Sequence, residues 1–212
     1  MTLRTSLRGL LSMSEPVRVF VVDNGGQWTH RIWRVLREIG CETKIVSNAT
    51  PVGELDADGL VLSGGAPRIA WESPKLGNCM DYLNEFKGPI LGICVGFQLM
   101  AIYCGGSAGP CGVPEYGLAR ITVVEEDDLF RELPREFMVW ESHNDEVKEA
   151  PGFRILAWSD NCGVQAAKHL KKLFYGVQFH PEVNNTEHGE AILRNFVDVV
   201  RRSRAVPGSS SS

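Results

Sequence analysis

The sequence predicts a doubly wound α/β domain whose sheet is mostly parallel, with added antiparallel strands in the second half. Three observations predict it: nearly continuous apolar runs at Val17 to Val22, Gly59 to Leu62 and Pro89 to Ile93, helix-spaced apolar positions between them, and a change to shorter β segments from Ala119 onward. Continuous apolar runs suit strands buried on both faces of a parallel sheet, and the intervening helices supply the cover.

After the first run, Trp28, Ile32, Val35, Leu36 and Ile39 recur at helical spacing, and Gly40 stops that pattern before a second strand at Glu42 to Val46. Leu76 to Phe86 and Phe97 to Tyr103 read as two further helices. The segments Ala119 to Val124, Phe137 to Trp140, Phe153 to Trp158, Val164 to Ala167 and Leu173 to Phe179 read as the added antiparallel strands. A closing helix over Glu187 to Arg202 carries Ile192, Phe196, Val199 and Val200 on one stripe, and its C-terminal arginines suit the helix dipole. Residues 17–203 are therefore expected to form one domain, between an unpacked extension at 1–16, with Met13 as an alternative start, and a flexible tail at 204–212.

Composition narrows the function. A chain of 212 residues that is 43% hydrophobic can fill one sizeable core. Its net charge of -4 lacks the cationic excess of a phosphate-backbone binder, so nucleic acid is not expected as a partner. The six cysteines show neither a CxxC pair nor zinc spacing, which predicts no metal site and a reduced, cytoplasmic chain. The N-terminus lacks a signal peptide's apolar length, and no run reaches the roughly twenty apolar residues of a membrane span, so no membrane association is expected.

Sites in such sheets form beyond the carboxyl ends of the strands. Gly92-Ile93-Cys94-Val95-Gly96 lies between a buried strand and a helix, the context of a nucleophile elbow with sulfur in place of oxygen. The following helix dipole favours a thiolate there, and the Val95 N–H is placed as an oxyanion donor. Taken alone, the string fits a buried core cysteine equally well. Gln178-Phe179-His180-Pro181-Glu182 supplies a base and its orienting carboxylate, because residues two apart on an extended segment point to one side. Ser63-Gly64-Gly65 at another strand end turns backbone amides toward a common point. Together these segments hold a nucleophile, a base, an orienter and oxyanion donors.

These residues resemble the class I glutamine amidotransferases over Val17 to about Arg202, and that family has a flavodoxin-like fold. The resemblance implies a glutaminase with Cys94 as nucleophile, His180 as general base, Glu182 as its partner, and Gly65 and Val95 as the oxyanion hole. It places Gln98 against the substrate, lines the glutamine pocket with Ser142, His143, Asn144 and Asp145, and gives the substrate amino group to Asp145. Asp23-Asn24-Gly25-Gly26-Gln27 and the run Val139 to Val147 resemble the GMP synthase branch rather than the anthranilate or aminodeoxychorismate branches.

For that branch the resemblance implies no cofactor on this polypeptide. It implies a separate ATP-pyrophosphatase (synthetase) subunit that binds ATP, Mg²⁺ and xanthosine monophosphate, since no synthetase segment follows the last helix. A glutaminase serving another amidotransferase, a γ-glutamyl hydrolase and a non-catalytic module remain as alternatives. Two departures stand out: Phe97, where many relatives have His, and Ala66, between the glycine pair and Pro67. The first is expected to alter pocket packing.

Overall fold

A computed structural model describes residues 15–205. Most of the expected N-terminal extension and the tail from residue 206 onward lie outside the described residues. The four parallel-type strands of the first half are β1 (Val19–Asp23), β2 (Ile45–Ser47), β3 (Gly59–Leu62) and β4 (Ile90–Ile93). Between and after them come helices α1 (Thr29–Glu38), α2 (Ile69–Glu72), α3 (Cys79–Glu85) and α4 (Val95–Tyr103). The second half contributes β5 (Ser107–Val123), β6 (Glu136–Glu149), β7 (Phe153–Ser159), β8 (Ala166–His169), β9 (Phe174–Val177) and the closing helix α5 (Gly189–Ala205).

The nine strands of the described residues form one sheet in the order β2-β1-β3-β4-β9-β8-β7-β5-β6. The first five in that order are parallel and the remaining pairings antiparallel. The two faces can be read along β1: Val19 and Val21 enter one core with Ile32 and Leu36 of α1 and Phe196 of α5, while Phe20 and Val22 enter another with Tyr82 of α3 and Leu99 of α4. Side chains alternate across a strand, so a strand apolar at every position binds helices on both sides.

The structure corrects several boundaries for local reasons. The helix expected over Leu76 to Phe86 is split, because Gly77 takes a left-handed φ of 55° after a short 3₁₀ turn at Ser73–Leu76. Regular pairing in the second strand begins only at Ile45, Glu42 forming an isolated bridge to Arg18. The closing helix starts two residues late, since His188 at φ 59° cannot continue a right-handed helix.

The larger correction concerns the second half. Of its five strands, β9 is parallel, and it completes the central sheet beside β4. Strands β5 and β6 are also far longer than expected, at 17 and 14 residues. Gly109, Pro110, Gly112, Pro114 and Gly117 break the regular pattern of β5, and a register shift between Pro110 and Glu115 absorbs the irregular stretch within the ladder.

Candidate active site

Cys94 occupies the turn from β4 to α4 with φ 51° and ψ −113°, a conformation that costs a non-glycine residue roughly 1–3 kcal/mol. Its surroundings hold it there. Its N–H donates to the Val177 carbonyl at 2.8 Å, and its own carbonyl accepts from Phe97 and Gln98 N–H, both at 3.0 Å. The turn needs small neighbours: a Cβ on Gly96 would sit 2.5 Å from the Leu62 carbonyl oxygen.

The parallel pairing of Ile93 with Val177 brings the ends of β4 and β9 side by side, which sets His180 next to the thiol-bearing turn. The backbone of His180 is clamped to β6 and to the following loop, its N–H donating to the Trp140 carbonyl at 2.9 Å and its carbonyl accepting from Thr186 Oγ1 at 2.6 Å. Its Nδ1–H donates to Glu182 Oε1 at 2.9 Å, with both side chains buried. Over Gly64 the imidazole and the cysteine converge, since a Cβ built there would lie 2.8 Å from His180 Cε1 and 3.5 Å from Cys94 Cβ. Burial lowers the pKa of His180, but the Glu182 charge and the contact with Cys94 outweigh it and hold the imidazole well above its ordinary value.

A cleft of about 310 Å³ opens on this point. It is walled by the loop after β1, the Gly64 to Arg68 loop, the Cys94 turn, Tyr116 of β5 and Ser142 to Asp145 of β6. Gly65 and Val95 both line it, and among the described residues neither N–H donates to another protein group. Gly65 is pressed against the loop after β1, where a Cβ would lie 2.3 Å from the Asn24 carbonyl oxygen.

The five residues expected around the substrate divide by face. Ser142 and exposed Asn144 line the cleft. Gln98 also lines it, while its Nε2 donates to the Asp145 carbonyl at 2.7 Å and to Gln178 Oε1 at 3.2 Å. Asp145 lines the cleft, and its buried carboxylate accepts from Arg68, whose Nε and Nη2 donate at 2.8 and 2.6 Å. His143 behaves differently. Its Nδ1–H donates to the Asp145 carbonyl at 3.1 Å, and its Nε2 lies 3.2 Å from Glu115 and 3.3 Å from Glu141, both buried. The residue lines the cleft, while its imidazole nitrogens are taken up by an enclosed acidic cluster and the Asp145 carbonyl.

Burial opposes charge in that cluster, but hydrogen bonds to Glu115 and Glu141 raise the His143 pKa to about 11. The Glu115 carboxyl is lowered, its burial offset first by the hydrogen bond from His143, whereas Glu141 is raised because its burial is deeper and its oxygens lack well-aligned donors. The three ligand atoms lie within 4.8 Å of one another, close enough to surround a cation. In this arrangement the imidazolium fills that position, and Ser159 and Gln165 already donate to Glu115 at 2.9 Å each.

Two expectations change. Phe97 is not among the residues lining the cleft; it is fully buried against Gly176, where a Cβ would fall 1.8 Å from its ring. Trp28, expected on the core stripe of α1, precedes that helix and packs edge-on to His180 with ring centroids 4.5 Å apart. Sequence reasoning missed Arg68, Glu115 and Glu141. Glu141 shares the i, i+2 spacing of His143 and Asp145 on one strand face, a signal that could have found it. Glu115 carries no such signal, because only the pairing of β5 with β6 sets it opposite His143.

A family model described as glutamine amidotransferase class-I matches residues 20–200. A protein of Thermoplasma acidophilum, named as one subunit of GMP synthase (glutamine-hydrolyzing), is 47% identical over 192 residues, which cover 90% of this chain and 96% of that one. Its namesake in Thermococcus kodakarensis is 50% identical over 188 residues, covering 85% of this chain and 97% of its own. A crystal structure from Thermoplasma acidophilum, described as that of the same GMP synthase component, superposes with a TM-score of 0.86 at 47% identity, over 90% of this chain and 96% of that one. In fold alone, a glutamine amidotransferase from Thermotoga maritima is similar at a TM-score of 0.70 and 20% identity, over 90% of this chain and 99% of that one. The chain belongs to the class I glutamine amidotransferases.

Proposed function

We propose that this chain is the glutamine-hydrolysing subunit of a two-subunit GMP synthase, with Cys94, His180 and Glu182 as its catalytic residues. The observation that carries the reading is the convergence of Cys94 and His180 over Gly64, with Glu182 accepting from His180 Nδ1 at 2.9 Å. The GMP synthase name shared by relatives 45 to 50% identical adds the branch of the family.

In the first half-reaction the Cys94 thiolate adds to the side-chain carboxamide carbon of glutamine, and the N–H groups of Gly65 and Val95 receive the oxyanion. One such donor is worth roughly 10²–10³ in rate. His180, held as imidazolium by Glu182 and the thiolate, gives its proton to the departing nitrogen, so ammonia leaves and a thioester remains. In the second half, His180 takes a proton from water, the hydroxide displaces the sulfur, and glutamate departs with thiolate and imidazolium restored. Acid–base help of this kind contributes roughly 10²–10⁴-fold.

Ammonia that picks up a proton is no nucleophile, so its path to the acceptor has to exclude water. The acceptor site belongs to a separate ATP-pyrophosphatase subunit, which binds ATP with Mg²⁺ and xanthosine monophosphate. Reconstitution with that subunit tests the reading. Cys94→Ala should abolish GMP formation from glutamine and leave formation from added ammonia intact; glutamine hydrolysis that persists in the variant would end the assignment.

A further inference from the structure

Glutamine reaches the cleft as a zwitterion, and its α-carboxylate needs N–H donors or a cation once water is displaced. Arg68 is the only lysine or arginine among the described residues lining that cleft. Its guanidinium is fixed before any ligand arrives. Nε and Nη2 donate to the two carboxylate oxygens of buried Asp145 at 2.8 and 2.6 Å, and the group stacks 4.9 Å from the centre of the Trp71 ring. Asp145 is itself held from behind, its carbonyl accepting from Gln98 and His143.

A guanidinium carries five N–H donors in a rigid plane, and Asp145 engages two of them, which leaves a preset fork for a second carboxylate. On Asp145, Oδ2 accepts from Arg68 and from the Ile69 N–H at 3.1 Å, whereas Oδ1 accepts from Arg68 alone and keeps a lone pair. The pair thus offers a cationic edge and an anionic corner side by side, the complement of an amino acid's two ends.

We propose that Arg68 is the residue that binds the α-carboxylate of the substrate, with Asp145 both aligning the guanidinium and receiving the α-ammonium at Oδ1. This rests on the glutamine reading and adds to it the group that selects a free amino acid over a glutamine residue within a peptide. A competing use of the same contact is a plug, with Arg68 occupying the position of the substrate's ammonium until it is displaced.

Saturation kinetics of covalent capture at Cys94 separate these. The full chain, alone and with the synthetase subunit, is labelled with 6-diazo-5-oxo-L-norleucine and with its α-methyl ester, and the Cys94 peptide is followed by mass spectrometry. Iodoacetamide, which has no α-carboxylate, is run in parallel on every variant, so the quantity compared is the ratio of the two labelling efficiencies and a misfolded variant reveals itself in both.

In Arg68→Ala the half-saturating concentration of the free acid should rise about ten- to a hundredfold, the range for a charge-assisted hydrogen bond. Arg68→Lys should fall between, because it keeps the charge without the fork. Esterification should weaken capture by the wild-type chain and add little further in Arg68→Ala. An unchanged half-saturation, a lower one as a plug requires, or additive effects of ester and variant would each overturn the proposal. A wild-type chain that reacts at Cys94 with iodoacetamide but never with the diazoketone would overturn the glutamine reading itself.

Discussion

Two buried imidazoles accompanied by glutamate sit close together in this domain, and their surroundings give them different work. His180 stands at the end of β9 with one carboxylate on Nδ1 and its other side facing a thiol and an open cleft. His143 stands within β6, with Nδ1 given to a backbone carbonyl and Nε2 between two glutamates, of which Ser159 and Gln165 also secure Glu115. On the proposed reading the same functional groups serve as an acid–base pair in one case and as a fixed charge in the other. Access to a reacting atom decides between them; a displaced pKa alone would single out both.

Three substitutions sharpen that contrast. The largest effect is expected from Glu182→Gln, which keeps the shape around His180 but removes the charge that supports the imidazolium; glutamine turnover should fall roughly 10³–10⁴-fold. His143→Gln should act mainly on stability, costing about 3–5 kcal/mol because it strands two buried carboxylates. Denaturant unfolding across pH checks its origin.

The raised pKa of His143 gives a contribution that is complete below the ordinary imidazole value of about 6.5 and is lost as pH climbs toward about 11. The lowered pKa of Glu115 gives one that is present above the ordinary value of about 4.5 and is lost as pH falls through its folded value. The gap between wild type and His143→Gln should therefore be widest between about pH 4.5 and 6.5 and narrow on both sides. A gap independent of pH would mean that packing, not charge, holds the cluster. The smallest effect is Gly64→Ala, whose methyl meets His180 Cε1 at 2.8 Å and should cost about 10–10²-fold in turnover by displacing the ring. Equal loss of stability and activity there would blur the distinction drawn above.

The arrangement of the proposed site was legible where it is local. Cys94 announces itself by the glycines of a tight turn, and His180 with Glu182 by a spacing of two around a proline. The parallel core was legible too, because strands buried on both faces are apolar at every position. What escaped depends on partners distant in sequence. Glu115 faces His143 only through a ladder that passes over a bulge, and Arg68 reaches Asp145 across 77 positions. The direction of β9 was likewise hidden, since four buried residues look the same whichever way their neighbour runs.

The late position of β9 in the chain has a consequence for biosynthesis. This strand lies between β4 and β8 in the finished sheet, although among the described elements only α5 follows it in order of synthesis. A nascent chain that has already emerged through Cys94 still lacks its imidazole and carboxylate. The thiol therefore meets its partners only after translation has passed Glu182, beyond the last strand.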